Sequence, residues 1–186
     1  MINPKSKIDN HQFFVPLIIL KFESNFCKMK NSSLIGLKDQ DCKIITEKLN
    51  ILLANYSVFY QNTRGSHWNI KGDQFFTLHP KFEELYNNLV LKIDEIAERI
   101  LTLGSTPAHN YSDYLKVSTI KESKEVSDGT KSVENILHSF EIVIKLQREL
   151  LDITDEAGDE GTNSQMSDYI TEQEKESWMY NAYLGK

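Results

Sequence analysis

Four stretches of this chain place apolar residues at steps of three and four, and none alternates at a step of two. That periodicity confines the fold to packed helices, because an apolar stripe repeating every 3.6 residues can be buried only on one side of a helix. Ile45, Leu49, Leu52, Tyr56, Tyr60 and Thr63 mark one face of a helix from about 38 to 65, and His67 continues the stripe. Gly65, Gly72 and "NIKGDQ" read as the turn that follows. Phe82, Leu85, Leu89, Ile93, Ile96, Ile100 and Leu103 mark a second helix ended by Gly104. Pro80 is comfortable only in a first turn, so this helix is expected to begin near Leu78 or to kink there. A polar crossover, "STPAHNYSDYLKVSTIKESKEVSDGT", has room for one short helix. The third helix lies in "SVENILHSFEIVIKLQRELLDITDEA" and the fourth in "SQMSDYITEQEKESWMYNAYL". An all-α, four-helix bundle with a short helix between its second and third members is the predicted architecture.

The 186 residues suffice for one such domain and its core. Residues 1–34 read as an N-terminal extension, flexible or lying ahead of a native start at Met29, and 35–186 as the domain. The extension holds "FFVPLIIL", an apolar run interrupted by Pro16 and far short of the roughly 20 residues that span a bilayer. A signal-peptide core is the competing reading of that run, but no small-x-small cleavage site follows it. The net charge is −6, and −8 without residues 1–28, whose four lysines face only Asp9 and Glu23. Such a balance disfavours an unaided nucleic-acid surface and suits cations. Cys27 and Cys42 are too few for a disulfide framework, which points to a reducing cytoplasm.

Two of the five histidines, His67 and His79, precede a carboxylate pair, Asp94 and Glu98, one helical turn apart. Oxygen and imidazole donors together suit iron, manganese or zinc. Each feature also has a plain explanation: the carboxylates as a solvated face, or Asp94 or Glu95 as a partner of Arg99, His67 as a cap or a satisfied core residue, His79 as a helix cap. Geometry adds a condition. His79 and Glu83 are one turn apart, and Glu83 lies within about 20° of Asp94 around the helix, yet His79 and Asp94 are separated by about 22 Å of helix. If all serve one metal, a second copy of the chain must supply half of the ligands across a two-fold axis. No Glu-x-x-His pair is present, since Glu134 and His138 are four apart, so an intrasubunit di-iron centre is not expected.

"HWNIKGDQFFTLHPKFEELY" followed by "DEIAERILTLGSTP" closely resembles the Dps family, the ferritin-like miniferritins of starved or oxidatively stressed bacteria. The likeness runs from about Ile35 to Gly185 and includes "DEGTNSQMSDYITEQEKESWMYNAYLG". It implies a ferritin-like fold, a homo-oligomer closing as a dodecamer, and oxidation of ferrous iron, preferably by hydrogen peroxide, with storage of ferric mineral inside. By position, the resemblance assigns His67 and His79 from one subunit and Asp94 and Glu98 from its partner to the ferroxidase centre, which would take up to two irons. Glu83 falls where an acidic residue supports the weaker iron site, and Trp68 where an indole lies close to iron. The acidic "DITDEAGDEG" segment resembles the lining of the three-fold pores, with Asp155, Asp159 and Glu160 as the candidates; a solvated helix end is the plainer reading. Ser164 stands where some members have a further pore aspartate.

Two departures from the family's pattern stand out. Pro80 directly follows His79 and bears on the angle of that ligand. The lysine-rich tail of the family's DNA binders is sparse here, with Lys28 and Lys30 close together and Lys5 and Lys7 far off. DNA binding is therefore expected to be weak or absent, and no membrane association is expected. A DNA-binding, shell-forming stress protein with structural or inactive metal sites is the alternative function, and a plain helical interaction protein a third. Zinc suits the same donors and, lacking redox chemistry, would inhibit.

Overall fold

The structure, a computed structural model, describes residues 31–186; the expectations for "FFVPLIIL", Cys27 and the tail lysines fall outside the described residues. A four-residue turn, α1 (Asn31–Leu34), leads into α2 (Asp39–Asn69), α3 (Phe75–Thr102), the short α4 (Tyr111–Val117), α5 (Gly129–Ala157) and α6 (Glu160–Tyr183). The long helices form the bundle that the periodicity predicts, and no described helix is long and apolar enough to cross a membrane. Leu52, Phe59, Phe82, Leu89, Ile96 and Phe140 are all at most 1% exposed, each contributing roughly 1.5–3 kcal/mol.

Every long helix runs beyond its sequence-predicted start or end, for local reasons. Gly65 does not stop α2: the Asn69 amide caps the Gly65 carbonyl at 2.8 Å, and the Ile70 N–H donates to Ser66 O at 2.9 Å. Helix α3 begins at Phe75, three residues before Leu78, so Pro80 lies inside it rather than in its first turn. Proline there forfeits the bond to the Phe76 carbonyl. The first turn packs closely against the start of α5: a Cβ at Gly129 would fall 2.1 Å from Gln74 Oε1 and 2.7 Å from Leu78 Cδ1, so a larger residue there would force those side-chain ends to shift. Asp128 caps α5 through the Lys131 N–H. Gly158, at φ 68°, ends it, with the Asp159 N–H donating to Thr154 O and the Gly158 N–H to Asp155 O.

The crossover is tied down by asparagines of α2. Asn55 Oδ1 accepts from the Thr119 and Ile120 N–H groups at 3.0 and 3.1 Å and from Ser118 Oγ. Asn62 accepts from the Ser123 N–H and donates to Lys121 O, and Asn50 accepts from the Ala108 N–H. Side-chain amides thus replace a sheet or helix as the partner of this segment's backbone.

Between α3 and α6, the buried Lys92 donates to Asn88 and to Glu172 and lies 4.9 Å from the Tyr169 ring. Glu176, one turn along α6, has a buried Oε2 without a hydrogen-bond partner among the described residues. Burial first, then the Glu172 charge, pushes its carboxyl up to about 7. A carboxyl raised in the fold binds protons more readily there than in the unfolded chain, so stability falls as pH rises from the ordinary glutamate range to about 7. Glu176→Gln should therefore stabilise the chain by about 2 kcal/mol at alkaline pH and by little near pH 5, read from denaturant midpoints at the two pH values. Equal gains at both would refute the strain assigned to this carboxylate.

Candidate metal centre

Helix α2 ends two residues beyond His67, and α3 carries His79 in its second turn, so the tight turn between them brings the imidazoles face to face. Their centroids are 3.9 Å apart with 22° between planes. His67 Nδ1 lies 2.8 Å from His79 O, and His79 Nδ1 2.9 Å from His67 O. A carbonyl only accepts, so both Nδ1 atoms carry the proton and both Nε2 lone pairs are left to bind a metal. The His67 carbonyl is one of the last four of α2, which have no donor within the helix; His79 supplies it. Each residue's main-chain carbonyl thus fixes the other's tautomer. Phe75 stacks on the far face of His79 at 4.8 Å, and Tyr86 meets His67 edge-on at 5.3 Å. His67 is 9% exposed, and Pro80 leaves this arrangement intact.

Asp94 and Glu98 lie on the exposed face of α3 with Glu83. Neither side chain of the pair has a hydrogen-bond partner among the described residues. Leu91 and Leu101, beside them, are 63% and 52% exposed. Arg99, the ion-pair partner considered for this segment, instead binds Asp159 and Thr162, and Glu95 accepts from Tyr169. The single chain brings His67 and His79 together and does not bring Asp94 or Glu98 to them; among the described residues no group of three or more His, Cys, Asp or Glu converges.

Trp68 is 61% exposed, with the Arg64 guanidinium 4.7 Å from its ring and 4.9 Å from that of Tyr60. Of the pore candidates, Asp155 and Glu160 are exposed, whereas Asp159 is 2% exposed. Its Oδ1 accepts the Thr162 N–H at 3.0 Å, capping α6, and its charge faces Arg99. Within the chain that carboxylate is a structural group, not a free pore charge. Phe75, Tyr86 and Arg64 went unnoticed in the sequence, and Tyr60 was read only as part of the helical stripe, because none forms part of the histidine and carboxylate pattern. Spacing was the available signal, since Phe75 and Tyr86 stand four before and seven after His79 and so share its side of α3.

A family model described as a ferritin-like domain matches residues 46–186. A DNA protection during starvation protein from Porphyromonas gingivalis is 42% identical over 151 residues, covering 81% of this chain and 95% of that protein. Among solved structures, the DPS protein from Vibrio cholerae O1, described as a member of a broad superfamily of ferritin-like diiron-carboxylate proteins, superposes with a TM-score of 0.80 at 54% identity, covering 81% of this chain and 95% of that one. A Dps protein from Bacillus brevis gives 0.76 at 33% identity, covering 80% and 99%. The chain belongs to the Dps family of ferritin-like proteins.

Proposed function

We propose that this chain is the subunit of an iron-sequestering miniferritin. It oxidises ferrous iron, preferably with hydrogen peroxide, at ferroxidase centres shared between two copies, and stores ferric mineral within a dodecameric shell. One observation carries the reading: His67 and His79 present two free Nε2 atoms, while the unpartnered Asp94 and Glu98 stand on an exposed face beside exposed leucines. A second copy related by a two-fold axis covers the leucines and joins the two ligand sets. Glu83 supports a second iron, and Asp155 and Glu160 serve as the charged lining of the route for cations. Membership of the family supports the same assignment.

The donors suit the task. Imidazole holds the incoming ferrous ion, and carboxylates favour the harder ferric product. Two irons supply the two electrons that reduce peroxide to water, so no hydroxyl radical is released, and DNA is protected without being touched. The site of action is the cytoplasm. A charge of −8 on residues 29–186 repels phosphate, which sets the DNA-compacting reading second. The deciding experiment is anaerobic ferrous loading followed by peroxide, with ferric absorbance and particle size recorded together. Rapid oxidation at about two irons per peroxide in a large shell is expected for a two-electron centre. An intact shell that oxidises iron no faster than buffer, while shifting DNA in a gel at physiological salt, would establish the rival.

A further inference from the structure

The first turns of α3 and the second half of α6 leave a groove of about 470 Å³ between them, within the size range of small-molecule sites. Its apolar lining comes from Leu78 and Leu85 of α3 and from Met179, Tyr180 and Tyr183 of α6, with Met179 and Tyr183 left exposed. Three carboxylates share the groove: Glu84, Glu172 and Glu176. Glu84 is taken by Lys81 at 2.5 Å, and Glu172 by Lys92 at 2.5 Å and Asn88 at 2.6 Å. Glu176 is the exception. It is half-buried, its Oε2 is shut off from water, and that oxygen has no hydrogen-bond partner among the described residues. The remaining charge, Lys175, is exposed. A carboxylate withdrawn from water without a donor is costly to keep ionised, so a ligand that brings the donor relieves that cost.

We propose that this groove binds a primary amine on an aliphatic stem, with the ammonium on the Glu176 carboxylate and the stem along Leu78, Leu85, Met179 and Tyr180. Charge and donor count select this ligand. A single unpaired carboxylate matches a single cation, and an ammonium brings three donors to it. A divalent metal ion asks for several oxygen ligands, whereas no group of three or more His, Cys, Asp or Glu converges among the described residues. An anion is repelled by the carboxylate that the amine needs. A second ammonium on the stem finds no second unpaired carboxylate in the groove, so a diamine gains little over a monoamine. Burial first, then the Glu172 charge, holds the Glu176 carboxyl up at about 7, against the pull of Lys92. Lys81 and Glu84 of α3 and Lys175 of α6 are the other charges around the groove. An alkylamine, like a lysine side chain, stays charged far above that range. It therefore selects the ionised carboxylate, and its binding strengthens as pH rises through the midpoint of Glu176.

The test is calorimetric titration of hexylamine into the assembled, iron-free protein. Binding should tighten about tenfold from pH 6 to pH 8, as a carboxyl with its midpoint at about 7 ionises. Heats in two buffers should show a proton released at the lower pH. Each methylene added from propylamine to hexylamine should tighten binding about twofold to fourfold. Glu176→Gln, which keeps the side chain's shape, should weaken hexylamine about tenfold or more at pH 8 and abolish the pH dependence. Met179→Ala should flatten the dependence on stem length and leave the pH dependence in place. Equal binding of hexanol and hexylamine by the parent at pH 8, or unchanged binding in Glu176→Gln, overturns the proposal and leaves an apolar groove without a charge partner. Absence of binding by the shell at both pH values overturns it as well. None of these outcomes bears on the ferroxidase reading, on which the proposal does not rest.

Discussion

Mixed shells of His67→Gln and Asp94→Asn chains should recover ferroxidase activity that neither variant shows alone. If the centre is shared as proposed, every centre in a shell of either variant lacks one ligand, and the loss expected is about a hundredfold, at the upper end of what disturbing a metal site costs. Gln is chosen at 67 because its amide retains a donor for the His79 carbonyl, so the partner imidazole keeps its orientation. In an equimolar mixture half of the two-fold interfaces pair unlike chains. At such an interface one centre takes both its histidines and its carboxylates from substituted positions, while the other takes both from intact ones. About a quarter of full activity should therefore return. A centre built within one chain predicts no recovery at any mixing ratio, because every chain is then defective in itself. Measuring initial ferric absorbance after reassembly from mixed subunits, with each variant reassembled alone as control, separates the two.

The two halves of the proposed centre were legible to different degrees. The pairing of His67 with His79 is a consequence of a short turn, and the sequence announces the turn through Gly65, Gly72 and the break in the stripe. Its detail was not legible, because the exchange of Nδ1 protons for main-chain carbonyls depends on where α2 ends, and α2 runs four residues past the glycine that was expected to stop it. Asp94 and Glu98 were correctly placed one turn apart, since that follows from helical pitch alone. The stripe of buried residues on α3 could be read for the same reason, while the start of α3 could not: Pro80 pointed to a first turn near Leu78, yet the helix begins at Phe75, in a turn that packs against Gly129, more than fifty residues away. The crossover shows the limit most clearly. Asn50, Asn55 and Asn62 look like ordinary polar positions on α2, and their role as anchors for another segment appears only once that segment is folded beside them.

Asp159→Ala should destabilise the chain by about 3 kcal/mol, more than any exposed substitution in the same acidic segment. Two losses add. The cap of α6, made through the Thr162 N–H and hydroxyl, is worth about 1 kcal/mol. The Arg99 guanidinium, with a side chain 19% exposed, loses the carboxylate that faces it, and an unpaired, largely buried charge costs a few kcal/mol more. Arg99 also packs closely over Gly161, its Nη2 3.0 Å from where a Cβ there would stand. Asp155→Ala and Glu160→Ala, both exposed, should change stability by less than about 0.5 kcal/mol while slowing iron uptake by the intact shell. Asp159→Asn keeps a capping oxygen but not the charge and should fall between the alanine variant and the parent. Replacing Arg99 by Met in the Asp159→Ala background should return part of the loss, because it removes the orphaned charge. Unfolding midpoints at fixed subunit concentration, needed because assembly contributes to apparent stability, set beside the rate of iron uptake, decide the matter. An Asp159→Ala shell of unchanged midpoint that takes up iron slowly would make Asp159 a pore charge after all, and would require the α5–α6 turn to open in the assembled protein.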